Sequence, residues 1–293
     1  MSMDLDISGG QPPLGRTGPM REFPLSEKDY RYLAKVVYEL SGIVLGPSKV
    51  NMVYSRLSRR LRELRLPSFR AYCELLRGPD SADEIGALIN AITTNLTRFF
   101  REPHHFVHLR QELAQSAHAS DRVRIWSAGC SSGEEPYSIA ITLADALPDL
   151  QQRDVRVLAT DLDTNMVATA QAGIYPAASL EEVSKQVRTS FFEHVARGRD
   201  AASFRVMDPI RRIITFKQLN LMHDWPIKGP FDVIFCRNVM IYFDGPTKNA
   251  LVQRFVNLLK PGGYLYIGHS ETLLASELNL RLAGPTIYRK TTS

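Results

Sequence analysis

The chain has 293 residues, 44% of them apolar and 23% charged, with a formal net charge of +5. That length exceeds a usual single domain of roughly 100 to 200 residues, so two domains are expected, each able to bury its own core. There is no run of about 18 apolar residues, and the opening MSMDLDISGGQPPLGRTGPM carries acids, glycine and proline rather than a basic-then-apolar leader, which excludes a spanning helix and points to the cytoplasm.

Residues 1–20 lack periodicity and are expected to be a disordered tail. SEKDYRYLAKVVYELSG then predicts a helix opened by Ser26 and Asp29 in capping-box spacing and closed at Gly42, with Leu33, Val36, Val37 and Leu40 on one face. A second helix is predicted from about Ser48 to Leu66, ended by Pro67, with Val50, Val53, Tyr54, Leu57, Leu61 and Leu64 on one stripe. Two shorter helices follow, so 21–95 reads as a small all-helical domain and 96–120 as a linker and helix. From Leu45 to Arg77 eight basic residues face two acids, a local net of +6, which suggests an acidic partner. A basic domain also suits nucleic acid, but the aromatic-and-basic interleaving of an RNA-binding motif is missing, so none is expected.

Cys73, Cys130 and Cys236 are too few and too scattered for a disulfide framework or a CxxC metal site, and three free thiols are expected. His104, His105 and His108 cluster, and His104 with His108 can share a helix face. No glutamate lies between them in the zincin arrangement, so a polar helix surface is expected and no metal.

Beyond residue 120 the period changes. VRIWSAG, VRVLATD, IITFKQLN, FDVIFCRN and GGYLYIGHS are short β-branched or aromatic runs, separated mostly by helical segments (Glu134 to Leu147, Thr164 to Ala172, Pro246 to Lys260). This alternation predicts βαβ units and a mostly parallel sheet, with ligands at the carboxyl ends of the strands. Those ends carry Gly129, Asp161, Asn220 and the pair Arg237-Asn238. Asp161, 28 residues after Gly133, suits the two hydroxyls of a ribose; a helix cap is the plainer role for it.

WSAGCSSGEEPYS (126–138) admits two readings. Gly129, Ser131 and Gly133 spell the G-x-S-x-G of a hydrolase elbow, for which His269 is the available histidine. Alternatively the glycines let backbone approach a cofactor. G-x-G-x-x-G is absent, which disfavours a dinucleotide, and Glu134 and Glu135 would repel phosphate and favour a cation such as the sulfonium of S-adenosylmethionine. Cys130 has no evident basic neighbour to activate it.

TTNLTRFFRE (93–102), SAGCSSGEEPYSIAI (127–141), ATDLD (159–163), GPFDVIFCRNVMIYFD (229–244), LLKPGGYL (258–265) and GHSE (268–271) together resemble the CheR family of chemotaxis receptor methyltransferases. The resemblance implies an α/β fold: an all-α N-terminal domain followed, over 121–293, by a Rossmann-like S-adenosylmethionine methyltransferase domain with a small β insertion at about 194–217. It also implies transfer of a methyl group to glutamate side chains of chemoreceptors, leaving S-adenosylhomocysteine. Position by position, it implies that Asn95, Thr97 and Arg101 reach the cofactor, that Glu135 and Asp161 bind its amino-acid and ribose parts, that Asn220 and Leu221 flank the adenine, and that Arg237 and Asn238 close the pocket. Arg101 would steer the acceptor carboxylate and Tyr242 hydrogen-bond it, while Arg56, Arg59 and Arg60 would dock the acidic receptor helix. In the insertion, the Asp208-Pro209 pair suggests a hairpin turn, and the single Gly198, where peptide-tethering relatives have a glycine pair, suggests recognition without a tether. A serine esterase and a noncatalytic cofactor-binding module remain the alternatives.

Overall fold

The computed structural model describes residues 21–79, 81–116, 122–197, 201–273 and 278–291; the expected tail at 1–20 and Gly198 lie outside the described residues. Helix α1 (Glu27–Ser41) opens on a reciprocal capping box, the Asp29 N–H donating to the Ser26 hydroxyl at 3.1 Å and the Ser26 N–H to the Asp29 carboxylate at 3.3 Å. Gly42 ends it at φ +72, and a Cβ there would stand 2.6 Å from Met222 Sδ, so this helix end is also a close contact with the second domain. After a 3₁₀ turn at Pro47–Lys49, α2 (Val50–Glu63) stops short of the expected Leu66, with Arg65 in the left-handed region at φ +55. Its stripe Val53, Leu57 and Leu61 packs on Leu33 and Val37 and, from α3 (Phe69–Leu75) and α4 (Ala82–Ile92), on Phe69, Tyr72 and Leu88. Within this core the buried Glu84 carboxylate accepts from Arg60 Nε at 2.9 Å and from the Tyr72 hydroxyl at 2.7 Å.

A linker leads to α5 (His104–Ser116) and the sheet domain. Its strands are β1 (Arg122–Ala128), β2 (Asp154–Asp161), β3 (Ile174–Pro176), β4 (Phe192–Arg197), β5 (Ala201–Val206), β6 (Ile214–Gln218), β7 (Phe231–Cys236), β8 (Leu259–Ile267), β9 (Leu280–Gly284) and β10 (Ile287–Lys290). Among the described residues, seven of them form one sheet in the order β6-β2-β1-β7-β8-β10-β9, parallel from β6 to β8 and antiparallel at β10 and β9. Both faces are covered, and the two-residue period shows it. Ile125 of β1 packs with Tyr137 and Leu143 of α6 (Glu134–Ala146), whereas its neighbour Trp126 packs with Leu251 and Phe255 of the last helix, Gly245–Leu258. The chain reverses its direction of winding between β1 and β7, which opens a crevice at their carboxyl ends.

The small antiparallel sheet β3-β5-β4 begins at Ile174 and ends at Val206, earlier than the insertion expected at 194–217, and β6 belongs to the large sheet. Nor do Asp208 and Pro209 make a hairpin turn: they open a one-turn helix, Asp208–Arg211, whose first turn tolerates a proline because an N–H at that position would have no helical acceptor. All three cysteines are free and buried, and among the described residues no helix is long and apolar enough to cross a membrane.

Replacing Glu84 by alanine would strand the Arg60 guanidinium and the Tyr72 hydroxyl. The expected loss is about 3 kcal/mol of N-terminal domain stability, read from the denaturant midpoint.

Candidate active site

The crevice is walled on one side by the ends of β1, β2 and β7 and on the other by the N-terminal domain and the linker. Gly129, Ser131, Glu135, Asp161, Asn220, Leu221, Arg237, Asn238 and Tyr242 line the first side; Lys49, Asn95, Leu96, Thr97, Arg98 and Arg101 line the second. The structure thus brings the residues expected for cofactor and catalysis to one opening.

The turn after β1 works differently from the reading of its glycines. At Gly129 (φ +107) a Cβ would lie 2.3 Å from Val239, and at Gly133 (φ +102) 2.9 Å from Ala170 Cβ, so it is protein that approaches these glycines. What the turn does offer is Ser131, whose N–H donates to Asp161 Oδ2 at 2.7 Å. The Asp163 N–H donates to Oδ1 at 3.0 Å, so each oxygen of Asp161 keeps acceptor capacity for the cleft it lines. Two oxygens held this way fit the paired hydroxyls of a ribose. Burial pushes the Asp161 carboxyl up, and the backbone donors oppose it.

The expected anionic rim is also revised. Glu134 is buried outside the cleft lining and accepts from the Ser132 hydroxyl at 2.7 Å. Glu135 accepts from Ser127 at 2.8 Å and is paired at 2.8 Å with Arg237, which is itself 5% exposed, so its charge is offset on the spot. Arg237 further donates to the Arg101 carbonyl and lies 3.5 Å from Glu102. Burial alone would raise the Glu102 carboxyl, but a hydrogen bond from His269 and the Arg237 charge hold it down to about 2.

Asn95 works as a fastener: its amide donates to Asp163 at 2.8 Å and its carbonyl accepts from Ser131 at 3.0 Å. Asp163 accepts from Thr93 as well and caps the helix Thr164–Ala172, a double role that sequence reasoning missed because half of it depends on the folded linker. Arg101 stands between two left-handed residues, Phe100 (φ +52) and Glu102 (φ +58), and donates to the Leu96 carbonyl at 2.9 Å. Such strain in bulky residues persists only where surroundings enforce it. The Asn220 amide donates to the Leu40 carbonyl at 2.6 Å, joining the two domains, and Leu221 is buried beside it. Asn238 (φ +60) is pinned by Glu271, which accepts from the N–H groups of Gly268, Asn238 and Ile241. The Tyr242 carbonyl accepts from Val44 at 2.9 Å.

The arginine face of α2 is largely engaged inside its own domain. Arg56 donates to the Ile92 and Thr93 carbonyls, both at 2.6 Å, satisfying the end of α4, and Arg60 is held by Glu84 and Glu63. Of the three expected docking residues, Arg59 alone is left at the surface, beside Glu63. The histidines depart from a polar helix surface too. His105 is fully buried and bonds Thr286 at 2.9 Å, and His108 bonds the Tyr266 hydroxyl at 2.7 Å while His104 turns to Pro285 and Thr286, so the i, i+4 pair does not converge. His104, His105 and Glu102 do bring ligand-type atoms within 4.8 Å of one another, beside the Arg237 guanidinium.

The hydrolase reading fails on geometry. The Ser131 hydroxyl donates to the Asn95 carbonyl, while His269 is bonded to Glu102 at 2.8 Å, so no serine and histidine pair forms. Cys130 is buried, and burial pushes its thiol up rather than toward a thiolate.

A mostly parallel sheet with this crevice, and an acid closing its second strand, suit a nucleoside cofactor, and the family match defines the domain as an S-adenosylmethionine-dependent methyltransferase. Residues 95–288 match the CheR methyltransferase SAM-binding domain, and residues 28–93 match its all-alpha domain. The chain belongs to the CheR methyltransferase family, and S-adenosylmethionine is its cofactor. It is 48% identical to a probable chemotaxis protein methyltransferase of Rhizobium etli, across 88% of this chain and 97% of that one. It is 43% identical to chemotaxis protein methyltransferase 2 of Pseudomonas aeruginosa (92% and 95%) and 43% identical to the chemotaxis protein methyltransferase of Escherichia coli (90% and 91%).

Burial, reinforced by the Arg237 charge, lowers the His105 pKa to about 3. An unfolded histidine protonates near 6.5, so between about pH 6.5 and 3 the unfolded state binds a proton that the folded state refuses, and stability falls as pH falls, by about 1.4 kcal/mol per unit. Glu102 adds its own loss below about pH 4.3. His105→Phe is expected to remove one proton's worth of slope between pH 6 and 4.5, measured by urea unfolding across that range.

Proposed function

We propose that the protein transfers the methyl group of S-adenosylmethionine to glutamate side chains of chemoreceptors, in the cytoplasm. The observation that carries this reading is what the cleft lacks. Among the described residues lining it there is no histidine, and its two carboxylates are already engaged, Glu135 by Arg237 and Asp161 by backbone N–H groups. An acceptor that must lose a proton is poorly served there. A glutamate, with a pKa near 4.3, arrives ionised and needs none removed. The names carried by the relatives, chemotaxis protein methyltransferases, support the same direction.

When bound, S-adenosylmethionine supplies a methyl group on a sulfonium, which passes to a carboxylate oxygen as the carbon–sulfur bond breaks and its electron pair stays on sulfur. The chain's part is positioning. Asp161 accepts the ribose hydroxyls, and Asn220 with Leu221 bounds the adenine side. Glu135, held by Arg237, faces the amino-acid end. Arg101 meets the acceptor carboxylate, its direction fixed by the strained backbone on either side, and Tyr242 donates its hydroxyl to it. Alignment at about 3 to 3.5 Å accounts for several kcal/mol of barrier without any proton transfer.

Incubation with methyl-labelled S-adenosylmethionine and a chemoreceptor cytoplasmic domain should yield base-labile label on the receptor, and stable label would reject an ester product. Asp161→Ala is expected to weaken cofactor binding at least tenfold by calorimetry. Tyr242→Phe should lower kcat about tenfold, the equivalent of one hydrogen bond of about 1.4 kcal/mol, with cofactor affinity kept. With no base to titrate, kcat/KM should be flat from pH 6.5 to 8.5; a rise through that window would require a deprotonated catalytic group.

A further inference from the structure

The mouth of the cleft is edged by large apolar side chains that have no cover. Leu96 is 82% exposed and Val44 45%. Leu96 and Val44 line the opening. The Val44 N–H donates to the Tyr242 carbonyl, so Val44 stands on the lip that carries Tyr242. Leu96 forms part of the other, its carbonyl accepting from Arg101. A single exposed leucine is ordinary. Two such side chains in the lining of one cleft, Leu96 and Val44, call for an occupant.

Charge says which occupant. Lys49 and Arg101 line the same opening and have no ion-pair partner among the described residues. Arg98, also in the lining, is paired with Glu182 at 2.8 Å. An incoming segment therefore meets cations flanked by hydrocarbon, which matches an acidic side chain with an apolar neighbour. We propose that Val44 and Leu96 form a docking collar for the acceptor segment of the protein substrate, gripping an uncharged apolar side chain next to the glutamate that accepts the methyl group. The collar then sets which glutamates are modified, because one flanked by lysine or arginine would set a cation against both hydrocarbon and Lys49. Seating the apolar neighbour also removes water from the mouth, which strengthens the attraction between Arg101 and the carboxylate.

This inference rests on the glutamate reading of the same site. The test uses the full chain, a chemoreceptor cytoplasmic domain and labelled S-adenosylmethionine. Leu96→Ala is expected to raise the receptor KM about tenfold, with kcat at saturating receptor and the affinity for S-adenosylhomocysteine each within twofold of the parent. Leu96→Met, which keeps volume and apolarity, should restore KM to within twofold, and Leu96→Lys should raise it beyond the alanine value. An unchanged KM in Leu96→Ala overturns the collar. So does a parallel loss of cofactor affinity, which would assign Leu96 to the cofactor pocket, or a dimer that Leu96→Lys dissociates with KM unaltered, which would make a second copy of the chain the occupant. If the unaltered protein leaves no base-labile label on the receptor, the glutamate reading itself fails. Label on the receptor with indifferent variants sinks the collar alone.

Discussion

Arg237 is a cation shut away from water at the end of a central strand, and the cleft is assembled around its needs. Burying a guanidinium is costly unless its donors and charge are answered, and loss of one partner of such a group is strongly destabilising. The answer comes from two stretches, the first turn of α6 through Glu135 and the linker through the Arg101 carbonyl and the adjacent Glu102, with the Arg237 Nε left without a hydrogen-bond partner among the described residues. Because these partners belong to separate stretches of chain, pairing one side chain ties the floor of the cleft and the path of the linker together. The left-handed residues on either side of Arg101 are held in that path.

Carboxylates repeat the device at the edges. Glu271 collects three N–H groups and so holds the bend at Asn238 that carries the chain toward Tyr242. Asp163 caps a helix with one oxygen and fastens Thr93 and Asn95 with the other. Both are buried acids made affordable by short-range donors, and neither needs to touch a ligand to shape the site.

Periodicity and punctuation made the fold legible. The capping box at Ser26, the left-handed Gly42, the alternation of Ile125 and Trp126 between two covered faces, and the acid closing β2 are local signals with local causes. The residues expected at the site could be brought to one cleft because most sit at strand ends or within motifs, where position along the chain nearly determines position in space. The failures share a different cause. Arg56 and Arg60 looked like a free basic face because helical spacing cannot reveal that α4 supplies carbonyls to one and a carboxylate to the other. Glu135 looked like an unopposed anion because its counter-ion lies 102 residues away. His105 looked solvated because nothing near it in sequence announces Tyr266 and Thr286. Asp208 and Pro209 have turn chemistry that a helix start uses equally well.

One wall of the cleft belongs to each domain, and bonds such as Asn220 to Leu40 and Tyr38 to Asp244 cross the seam between them. A nucleoside lodged there would act as mortar. Whatever free energy it gains from touching both walls is, by linkage, cohesion added to the seam, and a tighter seam in turn retains the nucleoside longer. The helical domain is thus a wall of the cleft in its own right. Severed from it, the sheet domain would hold only one wall of the cleft.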